Sequence, residues 1–205
     1  MWDNKTSFER IKMRKVGNLT LFFSENDEFS NWYRSDFEVK GIRFICMEQF
    51  MMYCKAKLFG DEKIASDIMH ATHPKDHKAL GRKVKGYDED VWKARRDGIV
   101  ASGCYAKFSQ NEKLKRLLLS TEDTILVEAS RYDKIWGVGL SENDSRILNP
   151  SQWKGLNLLG TALMRARSRI ASELKLEQMT TSPEQPTPVG VSNTKLRPSD
   201  PSMDL

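Results

Sequence analysis

Cys46-Met47-Glu48-Gln49-Phe50-Met51-Met52-Tyr53-Cys54-Lys55-Ala56-Lys57-Leu58 is the stretch that sets the class of fold. Wound at about 3.6 residues per turn, it puts Met47, Phe50 with Met51, Cys54 and Leu58 on one stripe, and Gly60-Asp61 then ends the pattern. The run therefore reads as an amphipathic helix over 46–58. Glu48 and Lys55 stand about two turns apart, so both project along nearly the same face, with Met51 and Met52 between them. A lysine beside apolar surface has its ammonium destabilised and its amine made available as a nucleophile. A solvated pair on a helix edge accounts for the same spacing, and spacing alone does not decide between the two.

Outward from this helix the pattern stays mostly helical. Asp61–His70 turns Ile64, Ala65 and Ile68 inward, Pro74 suits the first turn of a short helix through Leu80, and Asp88 caps a helix reaching about Lys107. Glu112–Leu119 and Asn157–Lys175 are further helices, the last with Leu159, Leu163 and Ile170 spaced for a buried face. Strand-like runs are few: Asn18–Phe23, Phe37–Phe44 with a hairpin turn at Gly41, and Thr124–Glu128. The class expected is mainly α with a small β component (α+β), and no internal repeat is present.

Three segments are expected: an N-terminal extension (1–17), a catalytic domain (18–176) and a disordered tail (177–205). Five of the seven prolines lie in the last 23 residues among Ser, Thr and Gln, and no aromatic follows Trp153. Such a segment buries too little apolar area to offset its ordering entropy. Four acids and two bases give residues 177–205 a charge of −2, so the remainder carries +7 of the net +5. That field suits phosphorylated small molecules, but it is too scattered to mark a nucleic-acid binder. No apolar run approaches the roughly 18 residues of a membrane span, and the N-terminus lacks the basic-then-apolar order of a signal peptide. A cytoplasmic protein with no membrane partner is expected.

Three cysteines (Cys46, Cys54 and Cys104) without CxxC spacing speak against a disulfide framework and a zinc knuckle. His70, His73 and His77 are interrupted by Pro74 and lack a suitably spaced carboxylate or thiol, so no metal site is expected. The basic stretch Lys75–Lys85, which contains Arg82, reads as a solvated face. In the helix begun by Asp88, Arg95 falls between Trp92 and Ile99 on the stripe expected to face inward. A buried arginine needs an anion, which is either an internal carboxylate or a substrate phosphate with Trp92 flat against a ring. The densest constellation is Leu126-Val127-Glu128-Ala129-Ser130-Arg131-Tyr132-Asp133-Lys134-Ile135-Trp136-Gly137-Val138-Gly139. A strand ends at Glu128 and gives way to a loop with Ser130, Asp133, Trp136 and two glycines, the composition of a binding lip whose backbone N–H groups can approach a ligand.

Taken in order, several blocks resemble one family. Phe29-Ser30-Asn31-Trp32, Met47 through Met52 running to Lys55, Phe59-Gly60-Asp61, Leu80-Gly81-Arg82, Trp92 with Arg95, Ala106-Lys107-Phe108-Ser109-Gln110-Asn111, Leu126–Ser130, Asp133–Gly139 and Asn157-Leu158-Leu159-Gly160 resemble NADAR (YbiA-like) domains over roughly residues 18–172. The resemblance implies an N-glycosidase that cleaves the ribose C1–N bond of phosphorylated ribosylaminopyrimidines of riboflavin biosynthesis. Ribose 5-phosphate is the sugar released, and neither metal nor redox cofactor is needed. Other members of the family remove ADP-ribose from guanine in nucleic acid, the only reading under which nucleic acid is a partner. A non-catalytic sensor of ADP-ribose or nucleotide is the rival from a different class.

Carried onto this chain, the resemblance implies that Glu48, Glu128 and Asp133 stabilise an oxocarbenium-like cation or handle protons. Lys55 is the implied nucleophile at C1. Trp92 and Trp136 offer faces to the base, Arg95, Arg82 or Lys107 hold the 5′-phosphate, and Ser130 and Gly137 shape the lip. Phe50, Tyr53 and Cys54 depart from the family pattern, which bears on selectivity for the base rather than on the reaction.

Overall fold

A computed structural model of the chain describes residues 13–181. Strands β1 (Arg14–Val16) and β2 (Leu19–Phe22) form an antiparallel hairpin, and β3 (Phe37–Val39) and β4 (Ile42–Phe44) form a second one. Five helices follow: α1 (Met47–Leu58), α2 (Glu62–His70), α3 (Pro74–Gly81), α4 (Glu89–Ser109) and α5 (Glu112–Leu119). Strand β5 (Ile125–Glu128) then pairs with β2 in parallel, giving a three-stranded sheet of order β1-β2-β5. Two short 3-10 turns lead into α6 (Leu158–Thr181). The molecule is thus α+β, with helices dominating a small sheet. Among the described residues no helix is long and apolar enough to cross a membrane.

Local chemistry explains why the helices begin where they do. The side chains of Cys46, Asp61, Asp88 and Asn111 each accept a hydrogen bond from the backbone N–H three residues on, relieving one orphan donor of the first turn. His73 caps α3 by accepting the Lys75 N–H, two residues on, at Nδ1, with Pro74 at the first position of the helix. The β3–β4 turn is Lys40-Gly41 with φ of 51° and 78°, the left-handed pair that a two-residue hairpin of matching twist requires.

Packing then sets the sheet between two apolar clusters. On one face Phe22 and Leu126 join Phe29, Phe44, Phe50, Val100, Phe108 and Leu163, from the loop after β2, the second hairpin, α1, α4 and α6. On the other, Leu19, Leu21 and Val127 meet Val138, Leu140 and Ile147. Every residue of β2 is buried, as expected of a central strand covered on both faces.

Two boundaries differ from the sequence reading. Strand β1 lies inside the stretch read as an N-terminal extension, because its backbone pairs with β2 although its Arg and Lys side chains face solvent. Helix α6 runs on to Thr181, past residue 177, where the tail was expected to begin. The rest of that tail, and residues 1–12, lie outside the described residues.

The start of α6 is fastened to the free edge of β5. Asn157 adopts φ of 51°, donates from Nδ2 to the Leu126 carbonyl (2.8 Å) and accepts the Glu128 N–H at Oδ1 (3.1 Å). One side chain thereby replaces a neighbouring strand. Gly160 permits this approach, since a Cβ there would collide with the Leu126 carbonyl and the Asn157 amide. Gly160→Ala is expected to destabilise the fold by about 2–3 kcal/mol through overpacking against backbone that cannot yield. Chemical denaturation checks this, and an unchanged midpoint refutes it.

Candidate functional site

Strands β2 and β5 run in parallel, and their last residues, Phe22 and Glu128, are register partners. Both strands therefore deliver their following loops to the same end of the sheet, the end at which parallel sheets gather ligands. Each loop is held by its own side chains. After β2, Asp27 Oδ2 accepts the N–H groups of Phe23 and Ser24, both at 2.7 Å. The Lys107 ammonium donates to the carbonyls of Glu28 (2.8 Å) and Ser30 (3.0 Å), and the Glu48 N–H donates to the Asn31 carbonyl (2.9 Å). Asn31 and Trp32 are thus fixed beside the first turn of α1.

After β5 the loop folds around Asp133. Its Oδ1 accepts the N–H groups of Ile135 (2.9 Å) and Trp136 (2.8 Å), and its own N–H donates to Ser130 Oγ (3.2 Å). The otherwise unpaired amides at the start of α6 finish the work: Asn157, Leu158 and Leu159 donate to the carbonyls of Gly137, Ile135 and Trp136.

Between these loops, α1 and α3 lies a cavity of about 480 Å³, the size of a small-metabolite site. Glu48 from α1, Glu128 from the end of β5 and Asp133 from the loop all line it, with Lys55 from α1, Lys78 from α3 and Arg82 at the C-cap of α3. Glu48 Oε1 and Glu128 Oε2 are buried and have no hydrogen-bond partner among the described residues. Burial raises the Glu48 carboxyl to about 7, with Lys78 opposing the shift and Asp133 adding to it. Burial likewise raises Glu128 to about 8, reinforced by Asp133 and Glu48 and opposed by Lys78. Three carboxyl groups that feel one another, two of them holding their protons up to the neutral range, form an acid–base constellation.

Lys55 is half-buried, donates to the Gly81 carbonyl (3.0 Å) and sits 4.0 Å from the centre of the Tyr87 ring. Desolvation lowers its pKa, which favours the free amine. Among the described residues no group of three His, Cys, Asp or Glu side chains is arranged to hold a metal ion.

The structure brings together six residues of the sequence reading, Glu48, Lys55, Arg82, Glu128, Asp133 and Trp136, at one cavity. Other assignments change. Arg95 is exposed and does not line the cavity; the buried arginine is Arg96. The inward stripe of α4 advances by four from Trp92, through Arg96 and Val100 to Cys104, which turns Arg95 away. Trp92 packs in the main cluster with its ring 5.9 Å from the Lys55 ammonium, behind the cavity wall rather than on it. Lys107 is fully buried, and its ammonium is taken up by two backbone carbonyls, so it holds a loop and not a phosphate.

Ser130 and Gly137 shape the loop without lining the cavity. A Cβ at Gly137 would press on the carbonyls of Glu128 and Asp133. Lys78 was hidden in a stretch read as solvated, and only its spacing of four from Arg82, one turn on a common face, pointed to it.

Comparison with known proteins gives a consistent set of likenesses. The model of the NADAR domain matches residues 21–171. The chain is 38% identical to protein irg-1 of Caenorhabditis elegans over 166 residues, covering 73% of this chain and 78% of that protein. It is 39% identical to N-glycosidase R617 of Acanthamoeba polyphaga mimivirus over 144 residues, 68% of this chain and 85% of the viral one. Its fold resembles the NMR structure of Escherichia coli YbiA with a TM-score of 0.65 and 29% identity, over 82% of this chain and 93% of the bacterial one. The bacterial protein carries the name N-glycosidase.

Proposed function

The chain belongs to the NADAR domain family, and we propose that it is an N-glycosidase that hydrolyses the ribose C1–N bond of a phosphorylated ribosylaminopyrimidine, an intermediate of riboflavin biosynthesis. The convergence of Glu48, Glu128 and Asp133 in one cavity beside Lys55 carries the reading. Breaking a C1–N bond leaves positive charge on the sugar and negative charge on the base. A carboxyl held neutral near pH 7 can protonate the departing nitrogen, while neighbouring negative charge stabilises the oxocarbenium-like sugar. Burial makes Glu48 and Glu128 the acids of choice. Lys55 supplies a second route: its amine adds to C1 as the base leaves with a proton, and water later hydrolyses the new C–N bond. The three cysteines are free, which suits a reducing cytoplasmic setting.

The phosphate falls to α3. Lys78 and Arg82 stand one turn apart at the cavity and replace Arg95 and Lys107 in that role. Arg82→Met is expected to raise KM for the phosphorylated substrate about ten- to a hundredfold, the worth of a charge-assisted pair, with little change in kcat. Inhibition by ribose 5-phosphate weakens in parallel, whereas that by unphosphorylated ribose does not. Equal losses for both sugars would place the phosphate elsewhere.

Incubating purified protein with a ribosylaminopyrimidine 5′-phosphate and, in parallel, with ADP-ribosylated guanosine tests the function, with products read by mass spectrometry. Ribose 5-phosphate from the first supports the proposal. ADP-ribose from the second alone assigns guanine de-ADP-ribosylation, and binding without turnover of either assigns a sensor.

A further inference from the structure

The loop after β5 carries a side chain that neither the fold nor the mechanism above uses. Tyr132 is 85% exposed, against 40% for its neighbour Ile135, yet it lines the cavity. Its exposure does not come from a slack backbone. Asp133 is tied to Ser130 on one side and to Ile135 and Trp136 on the other, and the Gly139 N–H donates to the Asp133 carbonyl. The Arg131 guanidinium lies 5.5 Å from the ring centre, a cation–π distance. An aromatic ring is thus presented at the mouth of a polar cavity, backed by a cation and with no hydrophobic neighbour covering it.

The cations that suit a phosphate come from α3, whereas Tyr132, Ile135 and Trp136 come from this loop. We infer that Tyr132 is the stacking face for the heteroaromatic base and a specificity-determining residue for the leaving group. The inference rests on the N-glycosidase reading of the cavity. A planar base covering the ring removes apolar surface from water on both partners and leaves the acids free to act on the C1–N bond.

The test compares the parent protein with Tyr132→Ala and Tyr132→Phe, using the ribosylaminopyrimidine 5′-phosphate as substrate. 2,4-Diamino-6-hydroxypyrimidine and ribose 5-phosphate serve as competing probes. Tyr132→Ala is expected to raise KM, and to weaken inhibition by the pyrimidine, about tenfold, the contribution of one stacked base. Both kcat and inhibition by ribose 5-phosphate stay within about twofold, and Tyr132→Phe behaves as the parent, since stacking needs the ring and not the hydroxyl. Unchanged pyrimidine inhibition in Tyr132→Ala overturns the inference and leaves the N-glycosidase reading intact. A parent protein that releases no sugar overturns that reading instead. Quenching of tryptophan fluorescence by the pyrimidine in parent and variant then decides the stacking role by itself.

Discussion

Glu48→Gln is expected to lower sugar release about 10³-fold, within the range for losing one general acid, while making the folded protein more stable above neutral pH. The two effects share an origin. Glu48 is 3% exposed, and its Oε1 has no hydrogen-bond partner among the described residues. Its carboxyl titrates at about 7 in the fold, against about 4.3 in an unfolded chain. Between those values the folded protein keeps a proton that the unfolded chain has lost, so stability falls as pH climbs through the window. Gln removes that penalty without emptying the space. The variant is therefore expected to exceed the parent by about 3–4 kcal/mol at pH 8, with the gap closing near pH 4. Sugar release by the parent declines as pH passes from about 7 to about 8, where Glu48 and Glu128 lose their protons. Thermal unfolding across pH and single-turnover rates check both halves. A stability gap independent of pH, or full activity in the variant, would defeat the assignment.

Lys107→Met is the second substitution expected to have a large effect, although Lys107 does not line the cavity. Its ammonium is the partner of two carbonyls in the loop that carries Asn31 and Trp32. Met fills similar volume and donates nothing, leaving the Glu28 carbonyl without the ammonium and the Ser30 carbonyl with the Tyr33 N–H at 3.3 Å alone. The expected cost is about 2–3 kcal/mol of stability and about a hundredfold in rate, as Trp32 and the Asn31–Glu48 backbone link lose their position.

Alkaline pH does not imitate the variant. Burial lowers the Lys107 pKa to about 8, below the ordinary value of 10.5. Across that interval the unfolded chain holds more protons than the fold, so stability rises with pH as a buried charge is discharged. The neutral amine retains enough N–H groups for both carbonyls. Hydrogen exchange of the amides over 23–36, faster in Lys107→Met and not at pH 9 once the intrinsic rate is corrected, separates the two cases. Equal protection in variant and parent would mean that the loop is held by other contacts.

The sequence disclosed more of the fold than of the site's periphery. The apolar stripe of 46–58, the capping residue Asp88 and the turn at Gly41 were legible because each acts locally, through spacing or dihedral preference. Strand β1 was not, since a three-residue pair of exposed Arg and Lys with Val has no hydrophobic alternation, and only its partner defines it.

The acids were found by resemblance and by their odd placement. Arg95 was lost to one residue of helical phase: both the +3 and +4 branches from Trp92 fit a helix, and packing alone selected Arg96. Lys107, expected at a phosphate, is buried on two backbone carbonyls, and Lys78, expected on a solvated face, lines the cavity. A lysine reads alike on a core stripe and on a solvated face until its neighbours are in place.

The pairing of β2 with β5 has a consequence for how the protein comes into being. Thr20 and Thr124 touch hydroxyl to hydroxyl across 104 positions of chain, and the helices α1 to α5 lie between them. Closing so wide a loop is entropically slow, whereas those helices can form from near neighbours. Glu128 reaches Glu48 only after that closure. A nascent or partly refolded chain is therefore expected to hold most of its helix and remain inert until β5 has joined β2.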